Sequence, residues 1–384
     1  MQHKFCKVWC GFVLFMSVRQ LAAQPVLFPQ PLSPRIANYD IEVKLAPDTR
    51  MLTGKEKLTW HNKSTDTITE LQFHLYLNAF RNNQSTFMKE SGGWARGNRI
   101  EKDGWGYVDV NRLTLASGEE LTHMLAFIQP DDDNTEDRTV CSLPLPTPLA
   151  PNDSIVLHID FTAKLPQPPL ARTGAKEEFF FVAQWFPKVG VYINGKWNCH
   201  QFHANSEFFA DYGVYNVRMT VPKANVVGAT GVEVEVQDNG DGTATHYYHA
   251  EDVHDFAWTT SPEYRVHTDY VKTKDVEIRV LMQPDHDYQW LRHMEAAKAA
   301  VEYHQEWYGD YPYPNLTVVD PRRGAGGSGG MEYPTLITAG TTYGLPTGVR
   351  AVEVVIIHEF GHNFWYHLLA SNEFEESWLD EGIN

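Results

Sequence analysis

The spacing of apolar residues changes once along this chain, near residue 264, and that change limits what the chain can fold into. Between residues 24 and 264 apolar side chains recur at alternate positions: Tyr39, Ile41, Val43 and Leu45; Leu71, Phe73, Leu75 and Leu77; Ile155, Leu157, Ile159 and Phe161; Tyr215, Val217, Met219 and Val221. Successive side chains of a strand point to opposite faces, so this alternation predicts half-buried strands. Turn clusters such as Asp238-Asn239-Gly240-Asp241-Gly242 separate the runs. Many short strands punctuated in this way predict an antiparallel β sandwich or saddle. After residue 264 the spacing becomes helical. A strand over 276–282 leads past Pro284 to Trp290, Met294, Ala297, Val301, His304 and Tyr308, three or four apart, with Gly309 as a stop. Short strands near 316–319 and 335–338 precede a long helical pattern over 349–369. The expected architecture is mixed: an all-β domain over residues 24–264, then an α+β domain over 265–384. The acidic run 131–137 reads as a solvated insertion, and His304 as a packed core histidine without a partner at ligand spacing.

The second helical pattern carries the chemistry. His358 and His362 are four apart, so at 3.6 residues per turn both imidazoles leave the same face and can reach one ion. Zinc takes nitrogen and oxygen donors, and a catalytic site keeps three protein ligands and a water. Glu359, beside the first ligand, is placed to take that water's proton. The apolar residues Val352, Val354, Val355 and Ile356 are expected to bury the helix. Gly361 costs the helix about 1 kcal/mol relative to alanine, which is intelligible if metal and substrate approach closely there. Eighteen residues after His362 comes Glu381, within Trp378-Leu379-Asp380-Glu381-Gly382. That gap fits a helix end, a turn and a second helix returning its face to the metal, so Glu381 completes a His358, His362, Glu381 ligand set. Asp380 is positioned to orient a ligand. Glu353 reads as an acid beside the ligands or at the surface, and Glu373, Glu375 and Glu376 as a charged helix start.

These residues resemble the gluzincin zinc aminopeptidases related to aminopeptidase N, whose pattern is this motif followed by 18 residues and a glutamate. Thermolysin has a slightly longer gap. A bacterial-type subgroup is most similar, through His358-Glu359-Phe360-Gly361-His362-Asn363-Phe364-Trp365-Tyr366, Ser371-Asn372-Glu373, Val253-His254-Asp255-Phe256-Ala257-Trp258 and Gln184-Trp185-Phe186-Pro187. The resemblance implies a thermolysin-like catalytic domain over 265–384, one zinc ion per chain, and peptide or protein substrates with a free N-terminus. Gly329-Gly330-Met331-Glu332-Tyr333 stands where the family has its Gly-x-Met-Glu-Asn motif. By that resemblance Glu332 anchors the substrate's α-amine, and Gly329 and Gly330 let the substrate backbone lie alongside. Tyr333 replaces the usual asparagine. Gln184 matches, by the same resemblance, a glutamine that holds the amino end; its residue type alone leaves open a buried structural amide. Three rivals remain: a zinc endopeptidase; a non-catalytic scaffold with the same fold, though such members usually lose ligands or base; and the glycyl-aminopeptidases, which share the helix motif but against which the Gly-Gly-Met-Glu stretch leans.

The net charge of −17 disfavours nucleic acid, because phosphate binding needs clustered lysine and arginine. Lys4 and Lys7, an apolar run over 8–18 and Leu21-Ala22-Ala23 together read as a signal peptide over residues 1–23. The mature protein is then exported, to the periplasm or outside the cell, with no stable membrane span. Cys6 and Cys10 leave with that segment. Cys141 and Cys199 remain, as one disulfide or as two thiols. The resemblance also implies a further part of the catalytic domain beyond Asn384, with a tyrosine that stabilises the oxyanion, so the chain reads as a truncated fragment.

Overall fold

The computed structural model describes residues 25–272, 275–339, 343–346 and 348–384. The segment read as a signal peptide, with Cys6 and Cys10, lies outside them. The architecture is mixed and mostly β, with a few helices toward the end.

A seven-stranded sheet runs in the order Val232–Asp238, Thr243–Val253, Gly213–Pro222, Ala37–Ala46, Met51–His61, Ser154–Lys164, Tyr107–Leu115. All its pairings are antiparallel except Ala37–Ala46 beside Gly213–Pro222. The alternation predicted at Tyr39, Ile41, Val43 and Leu45 is seen as alternate burial along that strand. Aromatic rings tie this sheet to the next layer: Tyr39 meets Phe186 at 5.2 Å and Phe161 meets Trp185 at 6.0 Å. That layer includes the sheet Gly174–Lys176, Phe179–Val182, Trp258–Ser261, Val226–Ala229. Another four-stranded sheet contains Ile68–His74 and Val140–Leu149. The run through Leu75 and Leu77 is not all strand. It leaves the sheet after His74 for a 3₁₀ turn, Tyr76–Phe80, whose five side chains are all buried.

From Arg265 onward a separate four-stranded sheet forms from Arg265–Val271, Val276–Met282, Asn315–Val319 and Leu336–Thr338, the last three parallel. The helix Trp290–Tyr308 and the motif helix Ala351–His362 pack together beside it. His304 is a core residue: its Nδ1 donates to the Ala300 carbonyl at 2.9 Å, and its ring meets Phe360 and Phe364. Among the described residues no helix is long and apolar enough to cross a membrane.

Two expectations are corrected, and the open alternative at the two cysteines is decided. The acidic run is not solvated throughout: Asp137 is fully buried and accepts from the Thr86 and Thr139 amides, and Asp131 accepts from the Gln201 amide at 2.6 Å. These carboxylates supply acceptors to backbone N–H groups that no ladder satisfies. Cys141 and Cys199 are both buried free thiols, and Cys199 Sγ lies 3.3 Å from His74 Nε2. The helical pattern over 349–369 is broken: an α-helix, Ala351–His362, passes into a wider π-wound segment, Asn363–Leu368.

Candidate active site

Val352, Ile356 and Phe360 form the buried stripe of the motif helix; Val354, expected inside, is exposed. With that stripe inward, His358 is half-exposed and His362 is buried, one turn apart, with Nε2 atoms separated by 3.2 Å. The following π-wound segment is held from the β region. Tyr366 Oη donates to the Phe208 carbonyl at 2.9 Å, and Tyr212 Oη donates to the carbonyl of His367. π-wound turns inside helices often occur at functional sites.

The chain then turns back. Glu373 is not part of a charged helix start. It is buried, accepts from the Phe208 amide at 3.0 Å, and burial together with neighbouring carboxylates pushes its acid well up. Glu375 accepts from Asn198 at 2.9 Å. So held, the loop delivers a single helical turn, Ser377–Asp380, with Glu381 just past its end. The second helix expected to carry Glu381 is therefore only this turn.

Glu381 Oε2 lies 3.4 Å from His358 Nε2 and 3.9 Å from His362 Nε2. Three ligand-type atoms thus converge with edges of 3.2, 3.4 and 3.9 Å. Zinc bonds of about 2.0–2.1 Å at tetrahedral angles give ligand–ligand edges of about 3.3 Å, so the donor set and spacing fit zinc. Asp380 is buried, with one oxygen 2.5 Å from His362 Nδ1. That contact holds the ring so that Nε2 faces the other ligand atoms. Burial lowers the His362 pKa, but Asp380, Glu332 and Glu359 outweigh it and bring it to about 9, so the pocket favours positive charge.

Glu332 faces the same imidazole. Ligand-type atoms of Glu332, His362 and Asp380 all lie within 4.8 Å of one another. Burial pushes the Glu332 acid up to about 7, and it pushes Glu359 well above the ordinary carboxylate range, with Glu332 adding to the effect. Gly330 lies between the two parts of the site. Its φ is +67°, and a Cβ placed there would stand 3.5 Å from Glu359 Oε1 and 3.2 Å from Arg96 Nη1. Gly361 has a different reason from the one expected: Asn384 fills the space over its Cα, where a Cβ would meet Asn384 Oδ1 at 1.8 Å. Gly329 turns its carbonyl to Arg96 at 2.7 Å.

Gln184 is buried with φ +54°; its amide donates to Asp255 at 2.6 Å and accepts from Lys188 at 3.5 Å. Lys188 and Asp255 form a buried ion pair of 2.6 Å. Glu353 pairs with Arg292, on the side of the helix facing Trp290–Tyr308. The sequence reading passed over Arg96, Arg172 and Glu207. Arg172 pairs with Glu207 at 2.6 Å, and both act on Glu332 electrostatically. They lie more than a hundred residues from the motif helix, where no spacing rule reaches.

No protein-family model matches the sequence, and no curated protein matches it either. Solved structures do. An M1 zinc metallopeptidase from Deinococcus radiodurans, in a point-mutant form, is 15% identical with a TM-score of 0.56, over 90% of this chain and 68% of that one. The same mutant bound to a Tyr-Ser-Ala substrate gives 16% and 0.55 over the same shares. Legionella pneumophila aminopeptidase A in complex with aspartic acid gives 13% and 0.56, over 86% of this chain and 34% of that one. At these identities the likeness establishes the fold, which is that of M1 zinc metallopeptidases.

Proposed function

We propose that the chain carries the zinc site of an exported metallopeptidase that removes N-terminal residues from peptides. The observation that carries this reading is the convergence of His358, His362 and Glu381 at zinc-ligand separations, with the Glu359 carboxylate against Gly330 and with Glu332 two residues after that glycine. In this reading residues 24–264 form a β-rich domain, and residues 265–384 belong to the catalytic domain.

Zinc bound there would polarise a scissile carbonyl and acidify a water. Glu359 would take a proton from a water held there and deliver it to the leaving amine. Glu332 offers a buried carboxylate to the substrate's ammonium group. A cation arriving there is favoured because burial and neighbouring acids make the isolated carboxylate costly. Asp380 holds His362. Gln184 is assigned to the amino end by resemblance alone; its buried amide is engaged by Asp255 and Lys188.

The test uses purified full-length protein and paired peptides with free and N-acetylated ends. Free peptides should be cleaved from the N-terminus, and acetylated ones should be spared. Glu359→Gln should lower the rate by a factor of about 10² to 10⁴. Undiminished hydrolysis by Glu359→Gln contradicts the mechanism. Equal cleavage of acetylated peptides leaves an endopeptidase.

A further inference from the structure

A two-residue β-hairpin reaches the site from the β region. Trp94–Ala95 pairs with Asn98–Arg99, and the two tip residues, Arg96 and Gly97, both have positive φ, +48° and +82°. That is the geometry of the tight hairpin turn whose twist suits its strands. Glycine adopts it freely, whereas arginine is strained in it. The hairpin base is tied down by Asn98, which donates to the Pro169 carbonyl at 2.9 Å. The strained tip residue points at the Gly-Gly-Met-Glu segment: Arg96 Nη1 donates to the carbonyls of Gly329 and Gly330 at 2.7 and 3.0 Å. Neutral carbonyls fix the guanidinium without cancelling its charge.

Among the described residues, no carboxylate lies within ion-pair distance of Arg96. The cavity it lines, about 500 Å³, carries two arginines, Arg96 and Arg172, and two glutamates, Glu90 and Glu207. Arg172 is paired with Glu207, and Glu90 with His203 at 2.8 Å. Its walls also include Trp94, Phe87 and Phe202. A volume of that size holds a small ligand or a few residues of peptide. Arg96 Nη1 and Glu359 Oε1 face the same point above Gly330, so a group held by Arg96 is within one or two residues of the reacting bond.

We propose that Arg96 is a specificity-determining residue that binds a carboxylate of the substrate. An arginine fork suits a carboxylate because it offers parallel donors in a plane. The carboxylate comes either from an acidic side chain of the substrate or from the C-terminus of a short peptide. The ligand class rests on the peptide reading above; the recognition itself is tested separately, by binding.

Full-length protein carrying Glu359→Gln, which can bind without turning over, is titrated calorimetrically with two ligand pairs. One pair is Ala-Ala-Ala and its C-terminal amide. The other is Asp-Ala-amide and Asn-Ala-amide. In at least one pair the acid should bind about tenfold or more tighter than its neutral partner. The first pair reports a C-terminal carboxylate, and the second an acidic side chain. Adding Arg96→Gln should bring that ratio close to one, and Arg96→Lys should restore part of it. Equal affinities within both pairs overturn the proposal. So does a ratio that survives Arg96→Gln, including a uniform weakening of acid and neutral ligands, which would mark Arg96 as structural. Absence of hydrolysis by the wild type would instead count against the peptidase reading alone.

Discussion

Single carboxylates in this protein have opposite roles according to what faces them. Asp380 is buried and spends one oxygen on His362 Nδ1. Asp380→Asn should weaken zinc binding by about 10- to 100-fold while leaving the fold intact, measured by competition with a chromophoric chelator. Undiminished affinity would show that His362 needs no such support. Glu56 lies on the inward-facing side of Met51–His61, neither oxygen has a hydrogen-bond partner among the described residues, and burial pushes its acid well up. A carboxylate whose folded-state pKa is raised destabilises the fold as pH rises past its unfolded value. Glu56→Met should therefore raise stability at neutral pH by about 1 kcal/mol or more, and the gain should shrink near pH 4. Thermal melts at both pH values check this. The juxtaposition of His358 and His362 was legible because helical spacing places them one turn apart. The burial of Glu373 was not, since nothing in Ser371-Asn372-Glu373 says that the Phe208 amide waits opposite.

The strands could be read where one face is buried and the other wet, as in Ala37–Ala46 and Gly213–Pro222. The reading failed where tertiary hydrogen bonds override local pattern. The π-wound segment Asn363–Leu368 keeps a helical apolar pattern, yet its winding is accompanied by ties from Tyr366 and Tyr212. The acidic run looked like a solvated loop because its composition is polar; its carboxylates cap amides more than 40 residues away. Asp137→Ala should cost about 2–3 kcal/mol in denaturant titrations, since it strands the Thr86 and Thr139 amides in a buried place. A change under about 0.5 kcal/mol would return the run to a surface role. The neighbouring histidine gives a pH signature. Asp131 first, then Glu90, outweighs partial burial and raises His203 to about 9. Its contribution is present in full below the ordinary value of 6.5 and is lost as pH rises through about 9. The destabilisation by His203→Gln should be about 0.5–1 kcal/mol at pH 6 and nearly vanish at pH 10, modest because both partners are partly exposed.

Across the whole molecule, the candidate site is assembled from both the β region and residues 265–384. Residues 265–384 hold the three proposed ligand atoms and the proposed base, while the β region supplies Phe208, Tyr212 and Asn198 to fix the loop that returns Glu381. It also supplies the Arg172 and Arg96 contacts to the glycine loop. The sequence showed the two textures but not this mutual support, which depends on contacts across more than 150 residues. The central claim is that His358, His362 and Glu381 hold one zinc ion. Metal content and zinc-edge X-ray absorption of the full-length protein test it most directly. The account predicts one zinc per chain, with two imidazole nitrogens and a carboxylate oxygen at about 2.0–2.2 Å, lost in His358→Ala and in Glu381→Ala. Protein that remains zinc-free after growth in zinc-replete medium, or that keeps its zinc in both variants, contradicts it.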